Sequence, residues 1–294
     1  MEINTNILVT GATGQLGSML KKTSKNYPYC FFFKNKKELD LTNFLKIEKF
    51  ITKNKINVVI NCAAYTDVNT AETNNKLANH VNNIAVDSLA KICSKNKIQL
   101  IHISTDYVFD GTFFKPYVES SKTNPLNFYG ITKLKGEKKI LEYDLNKSII
   151  IRTSWLYSSH ENNFVSKIIH KLNKAQDISV TCNEIGSPTN ALDLANNILY
   201  IIPKLKNKKT EIYHFCNTGY CSRYDFAVKI NEMINTKSKI IPQKKSNDRL
   251  KRPKFSALNN SKIKSDFNIK INSWEESLER HLNLVKLSSL KYEF

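Results

Sequence analysis

Three glycines within seven residues, Gly11-Ala12-Thr13-Gly14-Gln15-Leu16-Gly17, constrain this chain more than any other feature. The 294 residues hold only 8 glycines in all, so such a cluster marks a place where backbone geometry tolerates little else. Ile7-Leu8-Val9 just before it is a short apolar run that reads as a buried strand. The residues after it, through Met19, Leu20 and Lys22, suit a helix. Strand, glycine turn and helix, in that order, place amides at a helix start facing a dinucleotide pyrophosphate, whose negative charge the helix dipole favours.

The rest of the first half repeats the alternation. Strands are expected at Ile7–Thr10, Cys30–Phe33, Val58–Asn61, Gln99–Ser104 and Ser148–Arg152. Helical periodicity fills Gln15–Lys25, Asn43–Asn54, Lys76–Lys95 and Ile131–Tyr143 between them. Such a βαβ series predicts an α/β fold, a Rossmann-type doubly wound parallel sheet with helices on both faces. Ligands bind at the C-terminal strand ends of such sheets, where the glycine turn, Asn61-Cys62-Ala63-Ala64 and Ser104-Thr105-Asp106 all fall. Beyond residue 155 the rhythm loosens. Helices are expected at Glu161–Lys174, Ala191–Leu199, from Ser222 as cap through Ile234, at Asn260–Phe267 and at Trp274–Leu287. A turn is expected at Ile185-Gly186-Ser187-Pro188-Thr189, a strand at Glu211–Cys216 and a mobile lysine-rich loop at Lys237–Lys254. The expected organisation is a dinucleotide-binding domain over residues 1–155, with further elements returning from about 186–218, and a smaller α/β substrate-binding lobe from 156–294.

Composition narrows the function classes. No apolar run approaches the roughly 20 residues a membrane helix needs, and the N-terminus lacks the order of a signal peptide. A cytoplasmic protein without a membrane role is expected. The 6 cysteines form no CxxC pair and the 6 histidines no HExxH spacing, which argues against a zinc site. The net charge of +19 is spread along every segment, not gathered into a basic stripe with interleaved aromatics. It predicts a solvated surface that draws anionic small molecules, with no specific nucleic-acid partner.

Chemistry enters at Tyr129-Gly130-Ile131-Thr132-Lys133. On a helix, residues four apart share a face. A phenol with a pKa of about 10 is a poor proton donor at neutrality, and a nearby ammonium draws that value down. Tyr129 is then expected to exchange a proton with a carbonyl or alcohol oxygen. The strand-end hydroxyls of Ser104 and Thr105 offer hydrogen bonds to a substrate oxygen or cap the strand.

Taken together, these segments resemble the extended short-chain dehydrogenase/reductase family, nearly end to end. The resemblance is carried by the Gly11 turn, Glu38-Leu39-Asp40-Leu41-Thr42, the segment Asn61–Glu72, Ser104–Gly111, and Pro125–Lys133 with Gly136-Glu137. It continues through Arg152-Thr153-Ser154-Trp155-Leu156-Tyr157, Gly186-Ser187-Pro188-Thr189 and Arg252-Pro253. It implies reduction of the C4 ketone of a nucleotide-linked 4-keto-6-deoxysugar, dTDP-4-dehydro-L-rhamnose foremost, with Thr105, Tyr129 and Lys133 as the catalytic trio. By the same resemblance Gly11, Thr13, Gly14, Gln15, Leu16, Gly17, Lys36, Asp40, Leu41, Ala63, Ala64, Tyr65 and Asn82 line the cofactor site together with Tyr129 and Lys133. Thr66, Val68, Thr105, Asp106, Tyr107, Trp155 and Arg252 face the sugar nucleotide. Trp155 suits an apolar sugar face, and Arg252 suits a diphosphate.

A carboxylate after the second strand selects NAD, but this chain has Lys34-Asn35-Lys36-Lys37 there. NADPH is expected, with NADH as the alternative. Some relatives bind magnesium through glutamates at a dimer contact. The corresponding positions here are Met19 and Leu192, which cannot ligate a hard cation, so no metal is expected and monomer or homodimer stays open. Phe255 replaces a polar residue between Arg252-Pro253 and Ser256. The rival readings are a reductase of another sugar nucleotide and a non-catalytic dinucleotide-binding regulatory subunit.

Overall fold

The computed structural model describes residues 5–160, 162–244 and 250–289. Five strands alternate with helices along the first half: β1 (Asn6–Thr10), α1 (Gln15–Thr23), β2 (Cys30–Lys34), α2 (Phe44–Lys53) and β3 (Val58–Asn61) come first. The short helices α3 (Val68–Ala71) and α4 (Asn75–Asn79) come next, then α5 (Ala85–Lys95), β4 (Gln99–Thr105), α6 (Phe128–Leu141) and β5 (Ile149–Thr153). The strands form one parallel sheet that a later strand, β10 (Glu211–His214), joins beside β5, giving the order β10-β5-β4-β3-β1-β2. The order reverses direction after β1–β2, which creates the crevice at the C-terminal strand ends that α/β sheets use for ligands.

Burial on both faces explains why β1, β3, β4 and β5 read as near-continuous apolar runs. Ile7, Val9, Ile60, Ile101 and Ile151 point to a layer completed by α1 and α8 (Ala191–Ile201). Leu8, Val59, Leu100 and Ile150 point to the opposite layer under α2 and α5. Each fully buried aliphatic side chain contributes about 1.5–3 kcal/mol.

The remaining elements build a second cluster beyond β5. They are β6 (Leu156–Tyr157), α7 (Phe164–Asn173), β7 (Ile178–Thr181), β8 (Ile185–Gly186), β9 (Thr189–Asn190), β11 (Cys221–Ser222), α9 (Arg223–Ile234), β12 (Ile240–Gln243) and α11 (Trp274–Ser289), while α10 (Ser261–Phe267) joins the α1–α8 layer through Ile263 and Phe267. Tyr157, Val165, Phe226, Ile230, Trp274 and Leu278 form their core. Ser222 caps α9 in a reciprocal capping box with Asp225, as its position in the sequence predicts.

Several elements differ from expectation. The Lys237–Lys254 segment, expected as a loop, holds a strand, β12, paired in parallel with β7; residues 245–249 of that segment lie outside the described residues. The Lys76–Lys95 helix is broken by a π-turn at His80–Ile84. Helix α6 packs tightly on this turn: a Cβ on Gly136 of α6 would overlap the Asn82 carbonyl oxygen. The α6 helix begins at Phe128 rather than Ile131, because Asn127 accepts from the Gly130 amide as its cap and Glu72 accepts from the Phe128 amide. Tyr129 therefore lies in the first turn. The Ile185–Thr189 turn carries β8 and β9 at its two ends, and the strand expected at Glu211–Cys216 ends at His214.

Candidate active site

The glycine turn sits between β1 and α1. Gly11 has φ +64, and a Cβ there would approach the Ala63 nitrogen to 2.7 Å. A Cβ on Gly17 would overlap the Gly11 carbonyl oxygen, so both positions exclude larger residues. The Gly14 amide closes the turn on the Gly11 carbonyl at 3.0 Å. Gly14 caps α1 without a side chain, so the first-turn amides at Gln15 and Leu16 keep their donors for another acceptor. Such a turn can hold the diphosphate of a dinucleotide. Gln15 also reaches Leu156 and Ser158, tying the turn to β6. Thr13 is exposed on the turn.

Beyond β2, the Lys34 carbonyl accepts from the Ala12 amide, placing the lysine cluster beside the turn. Lys34 pairs with Glu38 at 3.7 Å, while Lys36 and Lys37 are exposed. The Asp40 carboxyl accepts from the Thr42 amide and hydroxyl, both at 2.9 Å, and Leu41 is buried. Burial works to raise the Asp40 pKa, but those two bonds with Lys36 nearby carry it below its ordinary value.

Past β3, the Ala63 backbone lies directly against Gly11, and Ala64 and Tyr65 continue the loop half-buried. Asn82 lies beneath this loop with its side chain committed: Oδ1 accepts from the Tyr65 amide at 2.9 Å, and Nδ2 donates to the Tyr65 carbonyl at 3.0 Å. It fixes the loop from below. Thr66 is exposed and Val68 half-buried at the start of α3.

The Thr105 hydroxyl ends β4, 3.1 Å from Asp106 Oδ1 and 3.2 Å from the Tyr107 amide. It also lies against the Tyr129 phenol, where it favours the phenolate. Tyr107 and Tyr129 meet edge to face at 5.7 Å. Burial raises the Tyr129 pKa well above the ordinary phenol range. Spacing alone predicts that Lys133 draws that value down. In this geometry the Lys133 amino group instead donates to the Ile103 carbonyl at 2.7 Å and lies 3.3 Å from His102 Nε2. Burial lowers Lys133 itself to about 8, with Glu137 opposing.

On the far side, Arg252 donates to the Tyr107 hydroxyl at 3.3 Å and to Asn69 at 3.0 Å. It borders a cleft of about 1980 Å³ that Asn69, Glu72, Ser158, Arg223 and His281 also line. Trp155 has φ +45 and lies flat against Gly186, where any Cβ would strike the indole. The Arg223 guanidinium stacks 3.6 Å from the Trp155 ring centre, a contact between residues 68 positions apart that no local pattern marks. Burial pushes the Asp106 carboxyl up to about 6, against hydrogen bonds from Ser256 and Thr105 and the charge of Arg223. Phe255 is buried against Tyr220 and Ile185, so its side chain serves the core. Met19 of α1 and Leu192 of α8 both belong to the apolar layer on that face of the sheet. Among the described residues no three His, Cys, Asp or Glu side chains converge on a cation site.

Comparison with known proteins gives the geometry its context. The chain matches the family model described as the RmlD substrate binding domain over residues 5–287. It is 35% identical over 285 residues to the dTDP-4-dehydrorhamnose reductase of Aggregatibacter actinomycetemcomitans, covering 93% of this chain and 97% of that one. It is 34% identical over 220 residues to the dTDP-4-keto-6-deoxy-D-glucose reductase of Streptomyces niveus, covering 75% of each. The crystal structure of dTDP-4-dehydrorhamnose reductase from Bacillus anthracis in complex with NADP superposes with a TM-score of 0.90 at 35% identity, covering 95% of this chain and 99% of that one.

Proposed function

The chain belongs to the RmlD substrate binding domain family, within the dTDP-4-dehydrorhamnose reductases, and from that premise we propose that it reduces the C4 ketone of dTDP-4-dehydro-L-rhamnose with NADPH. The observation that carries this reading is the meeting of the Thr105 and Tyr129 hydroxyls at the C-terminal edge of β4, one helical turn from Lys133. The reduced nicotinamide supplies the hydride. Thr105 donates a hydrogen bond to the ketone oxygen, which positions it and favours charge developing there. Tyr129 holds the proton that this oxygen takes up. Its raised pKa keeps the phenol protonated at neutrality, the form reduction requires. Lys133 orients the cofactor ribose and supplies positive charge when protonated.

The first-turn amides of α1 receive the diphosphate. Lys36, exposed beside the turn, suits an adenosine 2′-phosphate, with Asp40 and Leu41 near the adenine. Arg252 and Arg223 supply the cationic wall for the sugar nucleotide's diphosphate. Thr66, Val68, Asp106, Tyr107 and Trp155 frame its sugar. Residues 1–155 with β10 serve as the dinucleotide-binding part, and residues 156–294 mostly as the substrate lobe. The product is a rhamnosyl donor for polysaccharide assembly, made in the cytoplasm by a monomer or homodimer.

A second reading, reduction of a differently configured 4-keto-6-deoxysugar, is supported by the similarity to the Streptomyces niveus protein. The Tyr129→Phe variant tests the assigned chemistry: it removes the donor while leaving the ring's packing on Tyr107. Ketone reduction is expected to fall by about 100-fold or more with NADPH affinity nearly unchanged. Near-normal turnover in that variant contradicts the assignment.

A further inference from the structure

We infer that His102 sets the protonation state of Lys133 through a buried hydrogen-bond relay that runs from Thr10 through Asn61. His102 is thus a positioning residue, and its consequence for turnover rests on Lys133 serving the reaction proposed above. Four side chains on neighbouring parts of the sheet and its covering helix form the relay. Thr10 ends β1, Asn61 ends β3, His102 lies within β4 and Lys133 faces them from α6. All four are at most 2% exposed, so no water competes for their polar atoms.

The direction of each bond is set by donors that cannot reverse. The Ala63 backbone amide donates to Asn61 Oδ1 at 3.2 Å, so that atom is an acceptor. The Thr10 hydroxyl donates to the same oxygen at 2.7 Å. Asn61 Nδ2 therefore faces His102 Nδ1 at 3.0 Å as a donor, and Nδ1 must accept. A ring that accepts at Nδ1 is neutral and carries its proton on Nε2. That Nε2–H is directed at Lys133 Nζ, 3.3 Å away. A neutral amine accepts this bond while donating to the Ile103 carbonyl at 2.7 Å. An ammonium would set two donors head to head. The relay thus favours the neutral amine.

The other titratable groups facing Lys133 are few. Glu137, one turn along α6, favours the ammonium, but its carboxylate is shared with Arg152 on β5. The Cys62 thiol after β3 is pushed up to about 12 by burial and stays neutral. Burial keeps the His102 ring far below its ordinary pKa, consistent with a ring that never becomes cationic in the working range. A lysine poised near neutrality can release or take up a proton during turnover, which a surface lysine cannot do.

The test reads the free protein first. Histidine-selective ¹⁵N NMR is expected to show His102 as the neutral Nε2–H tautomer from pH 6 to 9. An Nδ1–H tautomer or an imidazolium overturns the inference. Next, Lys133 is titrated through ε-carbon-labelled lysine, with its resonance identified by its loss in Lys133→Met. In His102→Leu the donor is gone, and the Lys133 pKa is expected to rise by about one unit, a tenfold change in its proton dissociation constant. An unchanged or lower value means that burial alone sets it, or that His102 was an acceptor, and overturns the inference. In Asn61→Asp the carboxylate accepts from Nδ1–H, so the tautomer is expected to invert; retention of Nε2–H in that variant also overturns it. The alkaline limb of kcat/KM should track the Lys133 titration. If the NMR results stand but turnover shows no such limb, the relay holds and the role of Lys133 in reduction fails.

Discussion

Replacing Arg152 with methionine probes the buried ion pair on which the active-site helix rests. The guanidinium on β5 and the Glu137 carboxylate on α6 are 3% and 1% exposed and share three contacts of 3.0, 3.2 and 2.7 Å. The same carboxylate takes the Ser104 hydroxyl, next to Thr105, and the guanidinium stacks 5.2 Å from the Phe109 ring. Arg152→Met leaves a buried carboxylate with one hydroxyl partner, and breaking a buried pair in this way costs about 3–5 kcal/mol. An unfolding entropy of about 2.1 cal/mol/K per residue over 294 residues gives about 0.6 kcal/mol/K, so Tm should fall by about 5–8 °C. Glu137→Leu, which strands the guanidinium instead, should lose a similar amount. The double variant leaves neither charge, and should recover to within about 2 kcal/mol of the parent. Thermal and urea unfolding of the four proteins measure the coupling. Single variants that lose less than about 1 kcal/mol, or a double variant that loses the sum, would refute the claim that the pair is a desolvated, mutually dependent unit.

Cofactor choice and acid stability give two further expected outcomes. Replacing Lys36 and Lys37 with alanine should raise the KM for NADPH several-fold more than that for NADH, and equal effects in steady-state kinetics would exclude a 2′-phosphate contact. Stability should fall as the pH drops below about 6.5, because burial depresses His102 well below its ordinary value, His214 to about 3 and His281 to about 4. The folded chain then binds fewer protons at these sites than the unfolded one, so their contribution is intact above pH 6.5 and lost on acidification. Unfolding free energies measured from pH 7 to 4 should show a shallower slope in His214→Phe, by up to one proton; an unchanged slope contradicts the assignment.

How far each element was legible in the sequence depended on how it is buried. Strands β1, β3, β4 and β5 are covered on both faces, so their residues are mostly apolar, and the glycine turn after β1 marks the start of α1. Strands β7 and β12 form a two-stranded sheet among the described residues, and polar and lysine-rich surroundings hide them. Tyr129 and Lys133 stand out because helical spacing is local. Arg223 on Trp155, the Asn82 clamp under Tyr65 and the His102 contact with Lys133 join residues 17 to 68 positions apart, and no local pattern announces such pairs. The electrostatic expectation for Tyr129 failed for a related reason. Spacing puts its ring and the lysine on one face, but the Ile103 carbonyl and burial decide where the amino group goes and which way the phenol shifts.

The most direct measurement supplies dTDP-4-dehydro-L-rhamnose and NADPH to the purified protein, tracks the loss of reduced-cofactor absorbance, and determines the C4 configuration of the product by NMR. Stoichiometric oxidation of NADPH with formation of dTDP-L-rhamnose is the predicted result. Absence of cofactor oxidation with this ketone, or formation of the opposite C4 epimer, would contradict it.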